Sequence, residues 1–284
     1  MTLSLRQMTP SLGAEITGVD VANLDNQEFD AIYDSFNQHS VVVIRDQNIT
    51  PEQHADFSRR FGKLMVHVLK DDLLEGQPEI YRLSNKIENG VPQGRPNAGQ
   101  YWHSDLTYEE VPSKGSVMYA MEVPDAGGDT LFAHTAASYD ALSEPMKAFL
   151  SDKTAIHDFR HAYETFSKRI PGTMPISEEV FAARPPVEHP VIRIHPETQR
   201  QCLFVNPGFT VRIKELSYDE SDAILGYLYG HMVKPQFFYR HNWRANDLVL
   251  WDNRSLMHCA VGDYGPEKTR HMHRTTIMDS DAKK

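Results

Sequence analysis

The chain has few cysteines, and its first residues lack the pattern of a secretion signal. Only two cysteines, Cys202 and Cys259, occur among its 284 residues. Disulfide frameworks are typical of small secreted chains, so we expect both cysteines to be reduced packing residues. The first residues show no basic region followed by an apolar stretch and a small-residue cleavage site, so we expect a cytoplasmic protein.

Long hydrophobic runs and an excess of positive charge are also missing. The longest apolar runs, Val41–Ile44 and Leu248–Trp251, are far shorter than the roughly 20 residues that a membrane helix needs. Acidic residues outnumber basic ones, 39 to 29, which leaves a net charge of −10. Such a field repels phosphate backbones and anionic bilayers, so we expect no nucleic-acid partner and no membrane.

What remains has the composition of a folded globular chain, with 40% hydrophobic residues and 24% charged residues. The sequence contains no repeat, no low-complexity tract and no long polar linker. These features favour one continuous domain over residues 1–284.

The pattern of apolar residues predicts helices in the first half of the chain and many short strands from Val187 onward. A second helix begins at the capping residue Thr50, with Pro51 in its first turn and Phe57 and Phe61 on one face. Two irregular stretches, 83–100 and 168–190, read as surface loops or as lids over a site. The other predicted helices are Asn26–His39, Tyr139–Leu150 and Asp219–Val233, and the predicted strands are Val41–Ile44, Val191–His195, Gln201–Asn206, Asp247–Trp251 and Arg274–Met278.

The sharpest local signal is the pair His103 and Asp105 in Tyr-Trp-His-Ser-Asp. On an extended strand, residues two apart point the same way, so one metal ion can take a ligand from each. His258 follows a second polar turn, after the apolar strand that ends at Trp251. Two histidines and one carboxylate form the facial triad of non-haem iron(II) oxygenases, which leaves adjacent coordination positions open.

Two arginines follow the last of these histidines. The planar guanidinium groups of Arg270 and Arg274 suit bidentate binding of a carboxylate or another anion. The ordinary alternative is that both arginines pair with acidic residues on the surface.

In this order, the motifs resemble the iron(II)- and 2-oxoglutarate-dependent dioxygenases of the taurine dioxygenase and 2,4-dichlorophenoxyacetate dioxygenase family. The resemblance covers nearly the whole chain. The motifs that carry it are, in chain order, Leu12-Gly13-Ala14-Glu15-Ile16-Thr17-Gly18, Trp102-His103-Ser104-Asp105, Gly127-Gly128-Asp129-Thr130, His189-Pro190-Val191, Leu203-Phe204-Val205-Asn206, Trp251-Asp252-Asn253-Arg254 and Arg270-His271-Met272-His273-Arg274.

The resemblance implies a mostly β fold with peripheral helices, a double-stranded β-helix or jelly-roll barrel. It implies that His103, Asp105 and His258 bind Fe(II) and carry the catalysis. Arg270 and Thr130 would hold the distal carboxylate of the co-substrate 2-oxoglutarate. O2 would be the oxidant, CO2 and succinate the co-products, and the protein a dimer or a tetramer of identical chains.

The same resemblance implies a small anionic organic substrate, first of all a sulfonate such as taurine, which would be released as an aldehyde and sulfite. His67 and Arg274 match the anion-binding positions, and Phe159 and Phe209 match the apolar wall. The positions that would face the amine group of taurine depart from the taurine pattern, because Lys70 and Gly99 replace an expected Tyr and Asn. An aryloxy or alkyl carboxylate, cleaved as an ether like 2,4-dichlorophenoxyacetate, is therefore the alternative substrate.

Two more distant alternatives stay open at this point. A non-oxidative isomerase or hydrolase of the same architecture could use two histidines and one acid to hold zinc or manganese. A non-catalytic barrel could bind small anions with Arg274 and His67 alone. Neither alternative explains why Thr130 and Arg270 match a dicarboxylate site.

Overall fold

The computed structural model describes residues 3–169 and 175–279, and this part of the protein consists mostly of strands with some helices. The helices are α1 Asn26–His39, α2 Pro51–Arg59, α3 Thr135–Asp140, α4 Glu144–Leu150, α5 Phe159–Thr165, α6 Glu178–Ala182 and α7 Tyr218–Met232. The strands are β1 Ser4–Gln7, β2 Ala14–Thr17, β3 Val41–Ile44, β4 Leu73–Leu74, β5 Gln77–Ser84, β6 Ile87–Glu88, β7 Val91–Pro92, β8 Ser113–Glu122, β9 Thr130–His134, β10 Thr154–His157, β11 Val187–Pro190, β12 Ile192–Ile194, β13 Gln201–Leu203, β14 Thr210–Ile213, β15 Phe238–His241, β16 Leu248–Asp252, β17 Leu256–Ala260 and β18 His271–Met278.

The largest sheet has eight strands in the order β1-β2-β3-β16-β8-β18-β5-β4. Its pairs are antiparallel, except that β2 and β3 run parallel. A three-stranded sheet, β15-β9-β17, carries one end of the functional site, and a second one, β11-β10-β14, packs with α7 around a separate apolar cluster. This antiparallel arrangement agrees with the many short strands that the sequence predicts from Val187 onward.

Local sequence explains the helices that cover the large sheet. Asp25 and Glu28 form a capping box at the start of α1, and Ser40 ends the helix in the left-handed conformation. Ile32 and Phe36 are fully buried and pack against β3 in the same apolar cluster. The predicted helix Asn26–His39 and the buried strand Val41–Ile44 are therefore confirmed.

The second half of the chain confirms the other long helix and most of the predicted strands. Helix α7 lies one residue from the predicted Asp219–Val233. Strands β12, β13, β16 and β18 overlap the four predicted late strands.

Several predictions needed correction. The predicted helix Tyr139–Leu150 is two helices, because Ser143 caps α4 and Pro145 cannot continue a preceding helix. Helix α2 ends at Arg59, and Phe61 reaches the same apolar cluster as Phe57 from the turn that follows.

Strands β5 and β8 in the first half were not predicted, although β8 is a central strand of the large sheet. The β8 segment is buried along most of its length, so it lacks the alternation of polar and apolar residues that marks a half-buried strand.

The two predicted irregular stretches contain regular elements. The 83–100 segment includes the end of β5 and the β6–β7 hairpin, and the 168–190 segment includes α6 and β11. Residues 170–174 of the second stretch lie outside the described residues.

Two sequence expectations concern the whole molecule. Cys202 and Cys259 are both free thiols, as expected for packing residues. In the described ranges, no helix has both the length and the apolar character that crossing a membrane requires.

Candidate active site

His103, Asp105 and His258 converge at one end of a cavity. Ligand atoms from the three side chains all lie within 4.8 Å of one another, and all three residues are buried. Nε2 of His103 lies 3.7 Å from one carboxylate oxygen of Asp105, and Nε2 of His258 lies 3.9 Å from the other. The structure thus brings together the three residues that the sequence predicted as metal ligands.

Backbone pairing fixes the two histidines side by side. The amide of His103 donates to the carbonyl of His258 over 2.9 Å, and the amide of His258 donates back over 2.7 Å. This isolated antiparallel bridge joins the His103 segment to β17, and the ring centroids lie 4.2 Å apart. The approach of the two imidazoles is therefore a property of the chain before any metal binds.

The tautomer of His103 follows from its backbone contact. Its Nδ1 lies 2.8 Å from the carbonyl oxygen of Tyr101, and because a carbonyl only accepts, Nδ1 carries the proton. The lone pair is then on Nε2, which faces Asp105 and His258. Burial lowers the pKa of His103 and lowers that of His258 well below its usual value, so both rings are neutral ligands near pH 7.

Asp105 is held in its ionised form. Burial by itself would raise the pKa of Asp105, but the positive charge of Arg274, the two imidazoles and a hydrogen bond from Ser116 together hold it well below its usual value. Nη1 of Arg274 donates to one carboxylate oxygen over 3.1 Å, and the hydroxyl of Ser116 donates to the other over 2.7 Å.

The polar turn before His258 supports Asp105 from behind. The amide of Asp105 donates to the side-chain oxygen of Asn253, and the side-chain nitrogen of Asn253 donates to the hydroxyls of Ser113 and Ser116. Such outer contacts orient metal ligands. Sequence reasoning included Asn253 in a motif but gave it no role.

Chemically, the triad fits a divalent metal ion. It offers two neutral imidazole nitrogens and one carboxylate, a donor set that suits iron(II). Nδ1 of His258 is buried without a hydrogen-bond partner among the described residues, so the ring is aligned by its backbone bridge and its neighbours rather than by a polar contact. Three ligands on one side leave room for further ligands toward the cavity.

The cavity beyond the triad has a volume of about 970 Å³, including its open mouth. It gathers every remaining site residue that the sequence predicted. These residues, which lie on five separate segments of the chain, are His67, Thr130, Phe159, Phe209, Arg270 and Arg274.

Arg270 and Thr130 lie in the wall formed by β9 and the segment before β18. Arg270 is buried, and its Nε donates to the carbonyl of Gly128 over 3.0 Å, which leaves its two terminal nitrogens for a ligand. The hydroxyl oxygen of Thr130 accepts a hydrogen bond from Nε1 of Trp243, so its own proton is free to be donated. Trp243, which sequence reasoning missed, is buried next to Thr130 and follows no metal or anion motif.

His67 and Arg274 lie near each other at the same cavity. Nδ1 of His67 accepts from the amide of Leu69, and the ring stacks on Tyr81 with centroids 4.2 Å apart. Burial, reinforced by the positive charge of Arg274, lowers the pKa of His67 to about 3. The ring is therefore neutral at pH 7, and its proton is on Nε2.

Aromatic side chains that sequence reasoning did not single out complete the walls. Tyr108 packs against both Phe159 and Phe209, with ring centroids 4.7 and 4.6 Å away. Tyr101 and Tyr163 also line the cavity, as does Arg95. Only the tertiary arrangement distinguishes them from other aromatic and basic residues of the chain.

One departure from the taurine pattern has a structural reason. Gly99 has a φ of +73°, and a Cβ there would lie 3.0 Å from Cε1 of His103. A side chain at this position would push against the metal ligand. Lys70, the other departure, is exposed and does not line the cavity.

Comparisons with known proteins agree with this arrangement. Residues 4–276 match the family model described as "Taurine catabolism dioxygenase TauD, TfdA family". The chain is 33% identical to the alpha-ketoglutarate-dependent sulfonate dioxygenase of Saccharomyces cerevisiae, over 96% of this chain and 66% of that protein. The chain thus spans just under two thirds of this yeast relative.

A bacterial relative and a solved structure match over nearly their full lengths. The alpha-ketoglutarate-dependent 2,4-dichlorophenoxyacetate dioxygenase of Cupriavidus pinatubonensis is 29% identical, over 98% of this chain and 99% of that protein. The crystal structure of AAD-2 in complex with Mn(II) and N-oxalylglycine superposes with a TM-score of 0.82 at 29% identity, over 99% of both chains.

Proposed function

Because the chain belongs to the taurine catabolism dioxygenase TauD, TfdA family and is a 2-oxoglutarate-dependent dioxygenase, we propose that it uses Fe(II) and O2 to oxidise a small organic sulfonate. The observation that carries the proposal is the convergence of the His103, Asp105 and His258 side chains with a cavity that holds both predicted anion sites. This family assignment favours oxygenation over the isomerase, hydrolase and non-catalytic alternatives.

The triad would hold the iron, and Arg270 and Thr130 would hold the distal carboxylate of 2-oxoglutarate. When bound, the iron and the keto acid supply the oxidising power for C–H hydroxylation, with CO2 and succinate as co-products. The chain contributes the two terminal guanidinium nitrogens of Arg270 and the hydroxyl proton of Thr130, which can donate to both oxygens of a carboxylate. Burial of Arg270 strengthens this binding because little water competes.

His67 and Arg274 would bind the sulfonate. The neutral imidazole of His67 has its Nε2 proton to donate. Nε of Arg274 is buried and has no hydrogen-bond partner among the described residues, although Nη1 contacts Asp105. A sulfonate oxygen would satisfy that donor, and the contact with Asp105 would tie the substrate anion to the metal ligand.

Phe159 and Phe209 would form the apolar wall that orients the substrate carbon and excludes water. Once hydroxylated at the carbon that bears the sulfonate, a sulfonate substrate would release sulfite and leave an aldehyde. The aromatic walls also accommodate an aryl ring, which supports ether cleavage of an aryloxy carboxylate as the second candidate, the activity named for the Cupriavidus relative.

The family also supports a finer description of the fold. We infer that the eight-stranded sheet and sheet β15-β9-β17 are the facing halves of a double-stranded β-helix, in one domain. The backbone bridge between His103 and His258 would then lie at the open end of that barrel, and segment 83–100 with the described residues of 175–190 would border its mouth.

The test is product formation by protein reconstituted anaerobically with iron(II) and then exposed to O2 with 2-oxoglutarate. Taurine, a simple alkylsulfonate and 2,4-dichlorophenoxyacetate are supplied in parallel, and succinate, sulfite and phenol are measured. Succinate that rises with sulfite is expected from a sulfonate, and succinate that rises with phenol would establish the aryloxy alternative. The absence of substrate-stimulated succinate in every tube would contradict the proposed function.

A further inference from the structure

We propose that Arg95 binds a second anionic group of the substrate, so that the enzyme prefers substrates with two acidic groups, such as sulfocarboxylates, over aminosulfonates such as taurine. No sequence motif singled out Arg95. The inference rests on the proposed function, because the first anionic group is the one assigned to His67 and Arg274.

The backbone of Arg95 is fixed, although it lies in the segment that the sequence left irregular. After the β6–β7 hairpin, the chain returns to β5, where Arg95 donates its amide proton to the carbonyl of Arg82 and accepts from the amide of Ser84, both over 3.0 Å. Gly94 has a φ of +156°, and a Cβ there would lie 2.6 Å from the Arg82 carbonyl oxygen. The close approach that holds Arg95 in the cavity wall thus requires glycine before it.

The guanidinium group of Arg95 differs from those of the two arginines already assigned. Arg274 contacts Asp105, and Arg270 donates to a backbone carbonyl. Arg95 is half-buried in the cavity wall, and within residues 3–169 and 175–279 its guanidinium makes no hydrogen bond or ion pair. Burial raises the pKa of Asp72 and the charge of Arg95 opposes that shift, so this carboxylate lies within electrostatic range of Arg95 without forming an ion pair. A partly dehydrated guanidinium group that forms no ion pair favours an anionic ligand.

The charges that line the cavity also favour an anionic group over an ammonium group on the substrate. Three guanidinium groups and a single carboxylate, that of Asp105, are found among the described lining residues. The nearby carboxylate of Asp72 does not line the cavity, and it accepts a hydrogen bond from Tyr81. An ammonium group on the substrate would find no free carboxylate and would meet the charge of Arg95, so taurine is disfavoured.

Arg95 also lies within electrostatic reach of the position assigned to the sulfonate. After burial and the charge of Arg274, the charge of Arg95 is a further cause of the lowered pKa of His67. One small molecule can therefore contact both the His67 end and Arg95.

The experiment compares the affinities of three probes that share a sulfonate and differ at the other end. These probes are 3-sulfopropanoate, its neutral amide 3-sulfopropanamide, and 3-aminopropane-1-sulfonate. Dissociation constants are measured by calorimetry on the full chain loaded with iron(II) and 2-oxoglutarate, without O2, so that no turnover is needed. We expect the carboxylate to bind at least about tenfold more tightly than the amide, and the amine to bind most weakly.

Variants then assign the preference to Arg95. In Arg95→Gln, the ratio between carboxylate and amide should fall close to one, and Arg95→Lys should restore part of it. Lys86→Gln is the matched control, because it removes one positive charge from the same segment. Lys86 pairs with Glu88 and Glu122 and does not line the cavity. The control should keep the wild-type ratio.

Three results would overturn the inference. These are equal affinity of the wild type for the carboxylate and the amide, including no binding of either; an unchanged ratio in Arg95→Gln; and a tenfold weaker binding of 2-oxoglutarate in Arg95→Gln, which would assign Arg95 to the co-substrate. The proposed function is judged separately by succinate formation under O2. A charge preference without succinate would leave the Arg95 site standing and reject the oxygenase activity on these sulfonates.

Discussion

The two walls of the cavity are built differently. The metal wall comes from β17, from the His103 segment bridged to it, and from Ser116 in the central strand β8, and the polar groups of Asp105 are matched by hydrogen bonds there. A second wall, the segment wall, comes from segments between strands, including Arg95 and helix α5, and its contacts are largely aromatic. We therefore expect metal binding to depend on sheet pairing, and substrate choice to depend on Arg274 of β18 together with connecting segments that can change without disturbing the sheets.

The largest expected effect is a loss of stability at acidic pH, caused by buried histidines outside the cavity. Five histidines outside the cavity lining have lowered pKa values, mainly because they are buried. The pKa is about 3 for His157 and His273, and about 4 for His54, His134 and His189. Unfolded histidines take up protons below about pH 6.5 while these stay neutral, so stability is present above pH 6.5 and is lost as pH falls toward 4.

At pH 5.5, each of these histidines is expected to remove about 1.4 kcal/mol from the free energy of unfolding, or about 7 kcal/mol for the set. Urea unfolding at pH 7.5, 6.5 and 5.5 measures this loss. His157→Gln should make the pH dependence shallower than in the wild type. A stability that stays constant down to pH 5.5 would contradict the burial argument.

The next largest effect is expected at the metal wall. Asp105→Asn keeps the size of the side chain but removes the charged ligand, so metal affinity should fall on the order of a thousandfold, more than the roughly 10–100-fold typical of outer contacts. Calorimetric titration with Co(II) and succinate formation both measure it. Asp56→Asn, at a surface pair with Arg59, should leave both unchanged. Full metal affinity in Asp105→Asn would exclude Asp105 as a ligand.

Arg270 lies beside Thr130 in the part of the lining formed by β9 and the segment before β18, and its variant tests the co-substrate site alone. Arg270→Gln should raise the KM for 2-oxoglutarate by about 10- to 100-fold, as expected for the loss of hydrogen bonds to a charged group, while metal affinity is retained. Arg200→Gln, which breaks an exposed pair with Asp140, is the control. A normal KM for 2-oxoglutarate in Arg270→Gln would sink the assignment.

The smallest effect is expected on the segment wall. Phe159→Ala removes an aromatic face from a half-buried position, so kcat/KM for the organic substrate should fall by about tenfold. The KM for 2-oxoglutarate should not change, since Phe159 belongs to the segment wall and not to the predicted co-substrate site. Phe149→Ala, at an exposed position on α4, serves as the control. A change in the KM for 2-oxoglutarate as large as the change for substrate would erase the distinction between the walls.

Prediction from the sequence succeeded where a signal is local. The helical spacing of apolar residues identified α1, and the dense apolar run identified β3. It failed for Tyr139–Leu150, where the apolar period continues across the break at Ser143 and Pro145. It also failed for β8, since a strand buried on both faces has no alternating pattern.

For the site, the resemblance predicted the metal ligands, which the structure brings together, and the co-substrate residues, but it gave no reason for their neighbours. Gly99 reads as a departure from the taurine pattern until its backbone is seen against the ring of His103. Trp243 and Asn253 orient Thr130 and Asp105 through contacts between distant parts of the chain. No spacing rule marks such partners, because they are set by sheet register rather than by sequence separation.

The sequence by itself determined the chemical groups of this protein: an imidazole and a carboxylate two residues apart, a later histidine, and arginines able to bind anions. Only the tertiary structure decided which of the 14 histidines face one another, and that Arg95 reaches the cavity. The reason is physical. Local spacing fixes the direction of neighbouring side chains, whereas the meeting of distant residues depends on backbone hydrogen bonds between strands, such as the bridge from His103 to His258.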